Sequence, residues 1–161
     1  MPGAVSPIVV LGVGNLLRRD EGVGVHVVRA LSGDGGAPAE LVDGGTAVFE
    51  ALSGWQEIGK LVVIDALQAE REPGSVTRLR LEEASDRNGP ALSLHQYGLL
   101  DALALLRQAG LRLGEVVIYG VEPAETDWGT ELSEPVARRL PRLLEQVREE
   151  LEAYLGEEKI G

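Results

Sequence analysis

The feature that most constrains this chain is a set of short apolar runs that each end in glycine or aspartate. Three of them, at positions 7–12 (PIVVLG), 60–65 (KLVVID) and 115–120 (EVVIYG), have uninterrupted apolar centres rather than alternating polar and apolar residues. Such a run is typical of a strand that is buried on both faces, as the strands of parallel sheets are. A sheet built from these strands needs helices over both of its faces.

The segments between these runs supply the helices and two weaker strands. Apolar residues recur at helical spacing in 22–31, 93–109 and 133–155, and Thr46 can cap a short helix over 47–52. Pro141 lies inside the last pattern and predicts a break or a new helix start there. Two further segments predict strands: 40–42, and 75–81 at a sheet edge because its residues alternate. We therefore expect a three-layer α/β/α domain with a mostly parallel, twisted sheet of about five strands.

Length, composition and charge exclude several classes of protein. The 161 residues suit one domain, 1–161, and the aromatic content of 4% leaves an aliphatic core. The chain has no cysteine, which excludes disulfides, thiolate metal sites and cysteine nucleophiles. A net charge of −11 argues against a nucleic-acid partner. No targeting segment and no apolar run of about 18 residues is visible, so we expect a cytoplasmic protein without membrane association.

Polar residues follow each predicted strand, and in an open parallel sheet ligands bind at those carboxyl ends. The residues at these positions, in chain order, are Gly14, Asn15, Asp20 and Glu21, then Asp43, Gly44 and Gly45, then Asp65, then His95 after a loop, and finally Glu122 and Pro123. The carboxyl ends of parallel strands share one edge of the sheet, so these residues are candidates for a single site.

One interpretation of the first loop is a dinucleotide site. Gly12-Val13-Gly14 follows a strand, and Asp43 stands where a ribose-binding acid would. However, Leu17 occupies the place of the third glycine, and residues 16–20, with two arginines, come before Glu21. A pyrophosphate needs close backbone approach and a helix N-terminus directly behind the glycines. Dinucleotide binding is therefore the less favoured alternative.

The other interpretation is a metal site formed by Glu21, Asp65 and His95. Two carboxylates and one imidazole suit a borderline divalent ion such as nickel or zinc. His95 stands at a predicted helix start, where the helix dipole helps to keep it neutral, as a ligand must be. Taken singly, the three residues are equally explained as a surface acid, a turn former and a solvated histidine. Spacing alone does not show that they meet.

Five motifs, in order, resemble those of nickel–iron hydrogenase maturation endopeptidases. They are 12–24 (GVGNLLRRDEGVG), 43–46 (DGGT), 63–66 (VIDA), 93–96 (SLHQ) and 119–123 (YGVEP), and the similarity extends from about residue 8 to about residue 155. The resemblance implies that Glu21, Asp65 and His95 are metal ligands, with Glu21 in a place where the family often has aspartate.

The resemblance also implies a substrate and a partner. The family removes a C-terminal extension from the hydrogenase large-subunit precursor after nickel has been inserted. Nickel supplied by the precursor, rather than a permanently bound ion, would then be the recognition element. Zinc or another divalent ion suits the same ligands.

The peptide-bond chemistry is left open by the residues. No serine–histidine pair stands out, and His26 is expected on the surface of its helix. Metal polarisation of the scissile carbonyl would allow water to attack, with Asp20 or Asp43 as the base. Asp43 could equally orient the glycine loop through backbone hydrogen bonds. A non-enzymatic chaperone for the nickel-loaded precursor is the remaining alternative, and release of the C-terminal peptide distinguishes the two.

Overall fold

A computed structural model of the chain contains five strands and five α-helices in its described part. It describes residues 4–33, 35–84 and 94–160, with the side chains of 84, 94–97 and 158–160 outside that description. The strands are β1 Ala4–Val13, β2 Glu40–Gly45, β3 Trp55–Ala66, β4 Val76–Arg80 and β5 Arg112–Val121. The helices are α1 Val23–Gly33, α2 Val48–Leu52, α3 Leu81–Ala84, α4 Leu94–Gln108 and α5 Glu134–Ile160, and a 3-10 turn at Arg19–Gly22 precedes α1.

The five strands form one sheet in the order β2-β1-β3-β5-β4. All neighbours are parallel except β4, which lies antiparallel to β5 at the edge. This confirms the predicted fold class, including the edge strand near residues 75–81. The chain leaves β1 for β2 on one side, and β3 then pairs with β1 on the other side. The carboxyl ends of β1 and β3 therefore flank the point where strand order reverses, which is where such sheets bind ligands.

Each face of the sheet has its own apolar core, so the central strands are buried on both sides as predicted. Ile8 and Val10 of β1 pack in a cluster with α1 and α5. Val9 and Leu11, the alternate residues, pack in a second cluster with α2 and α4. The strand periodicity of two sends neighbouring residues to opposite faces. The uninterrupted apolar run is the consequence.

Glycines let α1 lie directly against the strand backbones. A β-carbon on Gly12 would collide with the carbonyl group of Gly24, and one on Gly24 would collide with the carbonyl oxygen of Ile64. The glycines of the first motif thus serve close packing of helix on sheet. A 3-10 turn stands between Gly14 and α1. These glycines do not lead directly into a helix N-terminus, which removes the geometric basis for the dinucleotide interpretation.

Two local predictions are wrong. The final helix continues through Pro141 without a break. Proline costs about 3 kcal/mol inside a helix, but the buried residues Val136, Leu143, Val147 and Leu151 lie on both sides of it and pack both halves of the helix into the same core. The N-cap of α2 is Ala47 rather than Thr46, and no side chain caps this helix.

A buried ionic cluster fixes α5 to the sheet. The Glu150 carboxylate accepts hydrogen bonds from Lys60 Nζ at 2.6 Å, Arg78 Nε at 2.7 Å and Tyr119 Oη at 2.6 Å. Burial alone would raise the pKa of Glu150, but the hydrogen bonds from Arg78, Lys60 and Tyr119 outweigh it and lower that pKa to about 2. Glu150 is therefore ionised at neutral pH, and it ties α5 to β3, β4 and β5.

Among the described residues, no helix combines the length and the apolar character that crossing a membrane requires.

Candidate functional site

At Gly14, the loop that follows β1 comes close to the carboxyl end of β3. A β-carbon on Gly14 would overlap the carbonyl oxygen of Glu21 and would stand 3.6 Å from Oδ1 of Asp65. The backbone carbonyl group of Glu21 and the carboxylate of Asp65 are therefore both close to the same point beside Gly14. The structure thus places the backbone of Glu21 near Asp65, at the point where strand order reverses.

Asp65 is a buried carboxylate on a rigid strand. It is 1% exposed, and its Oδ1 accepts the N–H of Ala66 at 2.8 Å. Its neighbours along β3 pair with β1 on one side and β5 on the other, so the strand end cannot shift alone. Burial of an ionisable group at a strand end, where a packed core would otherwise take an aliphatic residue, is typical of a functional position.

Glu21 has the opposite environment. It lies in the 3-10 turn, its side chain is 43% exposed, and Arg18 Nε is 3.8 Å from its Oε2. An exposed ion pair of this length contributes little stability, since solvent screens it. The Glu21 carboxylate is therefore available to a ligand that approaches from solvent.

His95 belongs to the first turn of α4, but its side chain lies outside the described residues. A cleft of about 360 Å³ runs from Val13 at the end of β1, past Ala47, to Gly98 and Leu99 of α4. The amino-terminal part of α4 therefore faces the carboxyl edge of the sheet. Within the described side chains, no three acids or histidines form a metal-binding group. Because His95 is not among them, the three-ligand site stays a prediction.

Asp20, predicted as one of two possible bases, is an anchor for a distant loop. Its carboxylate is 0% exposed and accepts four hydrogen bonds: from the N–H groups of Ala124, Glu125 and Ser133, and from the Ser133 hydroxyl at 2.6 Å. Burial alone would raise the pKa of Asp20, but the bonds from Ser133, Glu125 and Ala124 outweigh it and hold that pKa below its ordinary value. This geometry favours a structural role over proton abstraction.

Asp43 orients the glycine loop, as the alternative interpretation expected. It is exposed, its Oδ1 accepts the N–H of Gly45 at 3.1 Å, and Arg29 Nη2 lies 3.9 Å from its Oδ2. Gly45 has a left-handed φ of 49°, and its carbonyl oxygen accepts the N–H of Gly14 at 2.8 Å. The second glycine motif is thus hydrogen-bonded to the residue beside Asp65.

His26 is not the surface residue that was expected. It is half-buried, and its ring interacts with the backbone of Thr130. Burial and the charge of Arg29 lower its pKa, against the opposing effects of Thr130 and Asp20. His26 is therefore neutral at physiological pH. It supports the same loop that Asp20 anchors.

Glu122 is a second buried anchor, which the sequence indicated only as one of the polar residues at the carboxyl edge of the sheet. Its Oε1 accepts the N–H groups of Ala69 at 2.8 Å and Arg71 at 3.0 Å, and Glu70 between them has a left-handed φ of 57°. Glu122 thus fixes the loop that follows Asp65. The available signal was an acid directly after a buried strand and before Pro123, in the last of the five motifs.

Fold and site together define a doubly wound α/β domain with carboxylates at its switch point. The model of the hydrogenase maturation protease family matches residues 25–150 of this chain. The chain is 38% identical over 144 residues to the hydrogenase expression/formation protein HupM of Azotobacter chroococcum mcd 1, covering 87% of this chain and 69% of that protein. It is 36% identical over 143 residues to the hydrogenase 2 maturation protease of Escherichia coli K12, covering 87% of each.

Solved structures give the same result. The hydrogenase maturating endopeptidase HybD from E. coli superposes with a TM-score of 0.72 at 32% identity, covering 91% of this chain and 92% of that one. The [NiFe] hydrogenase maturation protease HybD from Thermococcus kodakarensis superposes with a TM-score of 0.74 at 28% identity, covering 89% and 98%. This chain belongs to the hydrogenase maturation protease family.

Proposed function

We propose that this protein is an endopeptidase that removes the C-terminal extension from the large-subunit precursor of a nickel–iron hydrogenase after nickel insertion. Membership of the maturation protease family supports the activity. The observation that carries it in this chain is the position of the Asp65 carboxylate and the Glu21 backbone beside Gly14, where strand order reverses. Ligands of doubly wound domains bind at that edge.

Nickel enters as part of the substrate, carried by the precursor, and we assign its recognition to Glu21, Asp65 and His95. Two carboxylates and an imidazole suit a borderline divalent ion, zinc included. Gly14 supports this assignment, since a β-carbon there would stand 3.6 Å from Asp65 Oδ1 and narrow the approach to it. Three protein ligands leave further positions for donors of the precursor.

In this proposal, different residues of the chain bind the nickel-loaded precursor and orient the attacking water. Nickel held by Glu21, Asp65 and His95 would polarise the scissile carbonyl and make it more electrophilic. Asp65 is held in place by burial and by the Ala66 N–H, while Glu21 is exposed enough to meet the incoming precursor. Of the two carboxylates predicted as the base, Asp43 has access to water and Asp20 does not. We therefore retain Asp43 as the candidate base for the attacking water.

The experiment compares nickel-loaded and nickel-free precursor, with mass spectrometry of the released C-terminal peptide as the readout. We expect release from the loaded precursor alone. Asp65→Asn should slow release by more than the roughly 10–100-fold that follows loss of a group supporting a metal ligand. Asp101→Asn, which changes an exposed carboxylate on α4, is the matched control and should behave as wild type.

Two outcomes would contradict the proposal in different ways. Equal release from nickel-free precursor would show that nickel is not the recognition element. Tight binding of the nickel-loaded precursor without any released peptide would favour the chaperone alternative.

A further inference from the structure

Two loops beside the candidate site are paired through their backbones. Leu17 accepts the N–H of Gly129 at 2.9 Å, and Arg19 donates its N–H to the carbonyl oxygen of Gly129 at 3.0 Å. These bonds make Arg18 and Gly129 an isolated parallel bridge between residues 15–22 and 122–133. The pairing sets the backbones of Leu17 and Trp128 next to each other, and both side chains are exposed.

Leu17, Arg18 and Trp128 form what we call the exposed patch. Leu17 is 56% exposed and Trp128 is 72% exposed. In the described part of the chain four large apolar side chains are exposed to this degree, and the other two, Val5 and Leu105, lie on β1 and α4. A single exposed apolar residue needs no explanation, but two that are placed together by a dedicated backbone pairing do.

The exposed patch is held in one conformation by polar contacts. The Arg18 guanidinium carbon lies 4.9 Å from the centroid of the Trp128 ring, and Arg18 Nε donates to the carbonyl oxygen of Thr126 at 2.9 Å. Below it, the buried Asp20 carboxylate fixes the ends of the 124–133 segment. None of these contacts buries Trp128 or Leu17, so the contacts stabilise the exposed surface rather than the core. An ordered surface loses little conformational entropy on binding.

The exposed patch adjoins the candidate site. Arg18, which stacks on Trp128, is also 3.8 Å from Glu21. A partner that reaches Glu21 from solvent would therefore meet Trp128 in the same approach.

We propose that the exposed patch docks onto the folded body of the hydrogenase large-subunit precursor. On the precursor, the exposed patch would meet an apolar socket that is rimmed by basic groups. This inference rests on the proposed function. Tryptophan and arginine dominate binding energy at protein interfaces, which fits Trp128 and Arg18. Two carboxylates flank the exposed patch, and Arg19 pairs closely with Glu125 but lies 3.7 Å from Asp127. Asp127, with its side chain 75% exposed, is therefore the carboxylate that selects for basic groups at the rim. The net charge of −11 opposes a second copy of this chain as the occupant.

The test separates docking from catalysis by measuring KM and kcat for peptide release from nickel-loaded precursor. Trp128→Ala should raise KM at least about tenfold, as loss of an interface anchor does, and leave kcat at saturating precursor within about twofold. Leu17→Ala should raise KM by a smaller factor. Leu105→Ala is the matched control, since it removes an equally exposed leucine from α4, and it should change neither constant.

A direct contact is tested with 5-fluorotryptophan in the enzyme and unlabelled precursor. The chain has two tryptophans, so the spectrum of Trp128→Phe assigns both fluorine resonances. The Trp128 resonance should shift or broaden on addition of nickel-loaded precursor, while that of Trp55 should not. Light scattering of the enzyme alone should give the monomer mass.

The outcomes are distinguishable from failure of the proposed function. If the wild-type enzyme releases no peptide, the proposed endopeptidase function is refuted, and docking is then judged from the fluorine spectrum alone. An unshifted Trp128 resonance would overturn the docking inference as well. If wild type releases peptide while Trp128→Ala keeps the wild-type KM, the docking inference alone is overturned. A Trp128-dependent dimer of the enzyme would assign the exposed patch to self-association and would also overturn it.

Discussion

Replacing Asp20 by asparagine separates the two roles that this carboxylate could have. In the structure Asp20 accepts four hydrogen bonds from residues 124–133, with three donors at Oδ2 and the Ser133 N–H at Oδ1. Asparagine has the same shape but a single acceptor oxygen. Asp20→Asn should therefore loosen the 124–133 segment while leaving the sheet and its two cores in place.

The magnitude follows from those bonds. If the amide oxygen takes the place of Oδ2, its NH2 group faces the buried N–H of Ser133, which is left unsatisfied. Such a group costs about 1–3 kcal/mol, and the remaining bonds lose the strength that a charged acceptor adds. We expect a local cost of about 3 kcal/mol, which corresponds to on the order of 100-fold faster opening of the segment.

Amide hydrogen exchange measures this opening directly. The N–H groups of Ala124, Glu125 and Ser133 should exchange on the order of 100-fold faster in Asp20→Asn, and amides in the centre of β3 should not change. In wild type the pKa of Asp20 is held below its ordinary value, so its contribution is complete above about pH 4 and is lost as pH falls through the lowered pKa. Asp20→Asn should show no such acid transition.

The opposite pattern would refute this reasoning. If Asp20 is the catalytic base, Asp20→Asn abolishes peptide release while the exchange rates of the 124–133 segment stay at their wild-type values. Asp101→Asn, with an exposed carboxylate on α4, controls for the change of net charge.

Three further predictions concern α5, the glycine loop and the histidine. Glu150→Gln should lower the free energy of unfolding by about 3 kcal/mol at pH 7, since the pKa of Glu150 is lowered from 4.5 to about 2. Urea titrations should show this difference from wild type above pH 4.5, and the difference should vanish as pH falls to about 2. Gly45→Val should cost about 1–2 kcal/mol because of its φ of 49°, yet reduce peptide release far more than that; normal release would show that this loop does not meet the substrate. His95→Ala should abolish release with an unchanged unfolding midpoint, and full activity would remove the histidine from the mechanism.

The fold was largely predictable because its central strands are apolar without interruption. Where polar residues replace apolar ones at the start of a strand, the predicted strand was shorter than the observed one. β3 begins at Trp55 and β5 at Arg112, several residues before the predicted starts at 60 and 115. These polar ends are ordered by pairing, with Glu57 opposite Arg112 and their side chains 2.9 Å apart. A cross-strand partner is not visible in a local pattern.

The structural role of the acids that follow β1 was not predictable from the sequence. Asp20 and Glu21 are adjacent acids in one motif, yet the first is wholly buried and the second is exposed. In a 3-10 turn, successive side chains point about 120° apart, so one residue can face a neighbouring loop while the next faces solvent. The distinction between an anchor and a ligand depends on the 124–133 segment, more than 100 residues further along the chain. No local spacing encodes that contact.

The two buried anchors have a consequence for how the rim of the site responds to denaturant. Asp20 and Glu122 hold three loops, 15–22, 67–75 and 122–133, through carboxylate–backbone bonds, and Leu67 and Leu132 add apolar contacts with the two cores. Opening these loops uncovers less apolar surface than unfolding the sheet and its two cores, and the dependence of an unfolding free energy on urea scales with the surface uncovered. The opening free energy of the rim should therefore fall less steeply with urea than that of the sheet. As urea concentration rises, the rim should stay closed until the sheet itself unfolds.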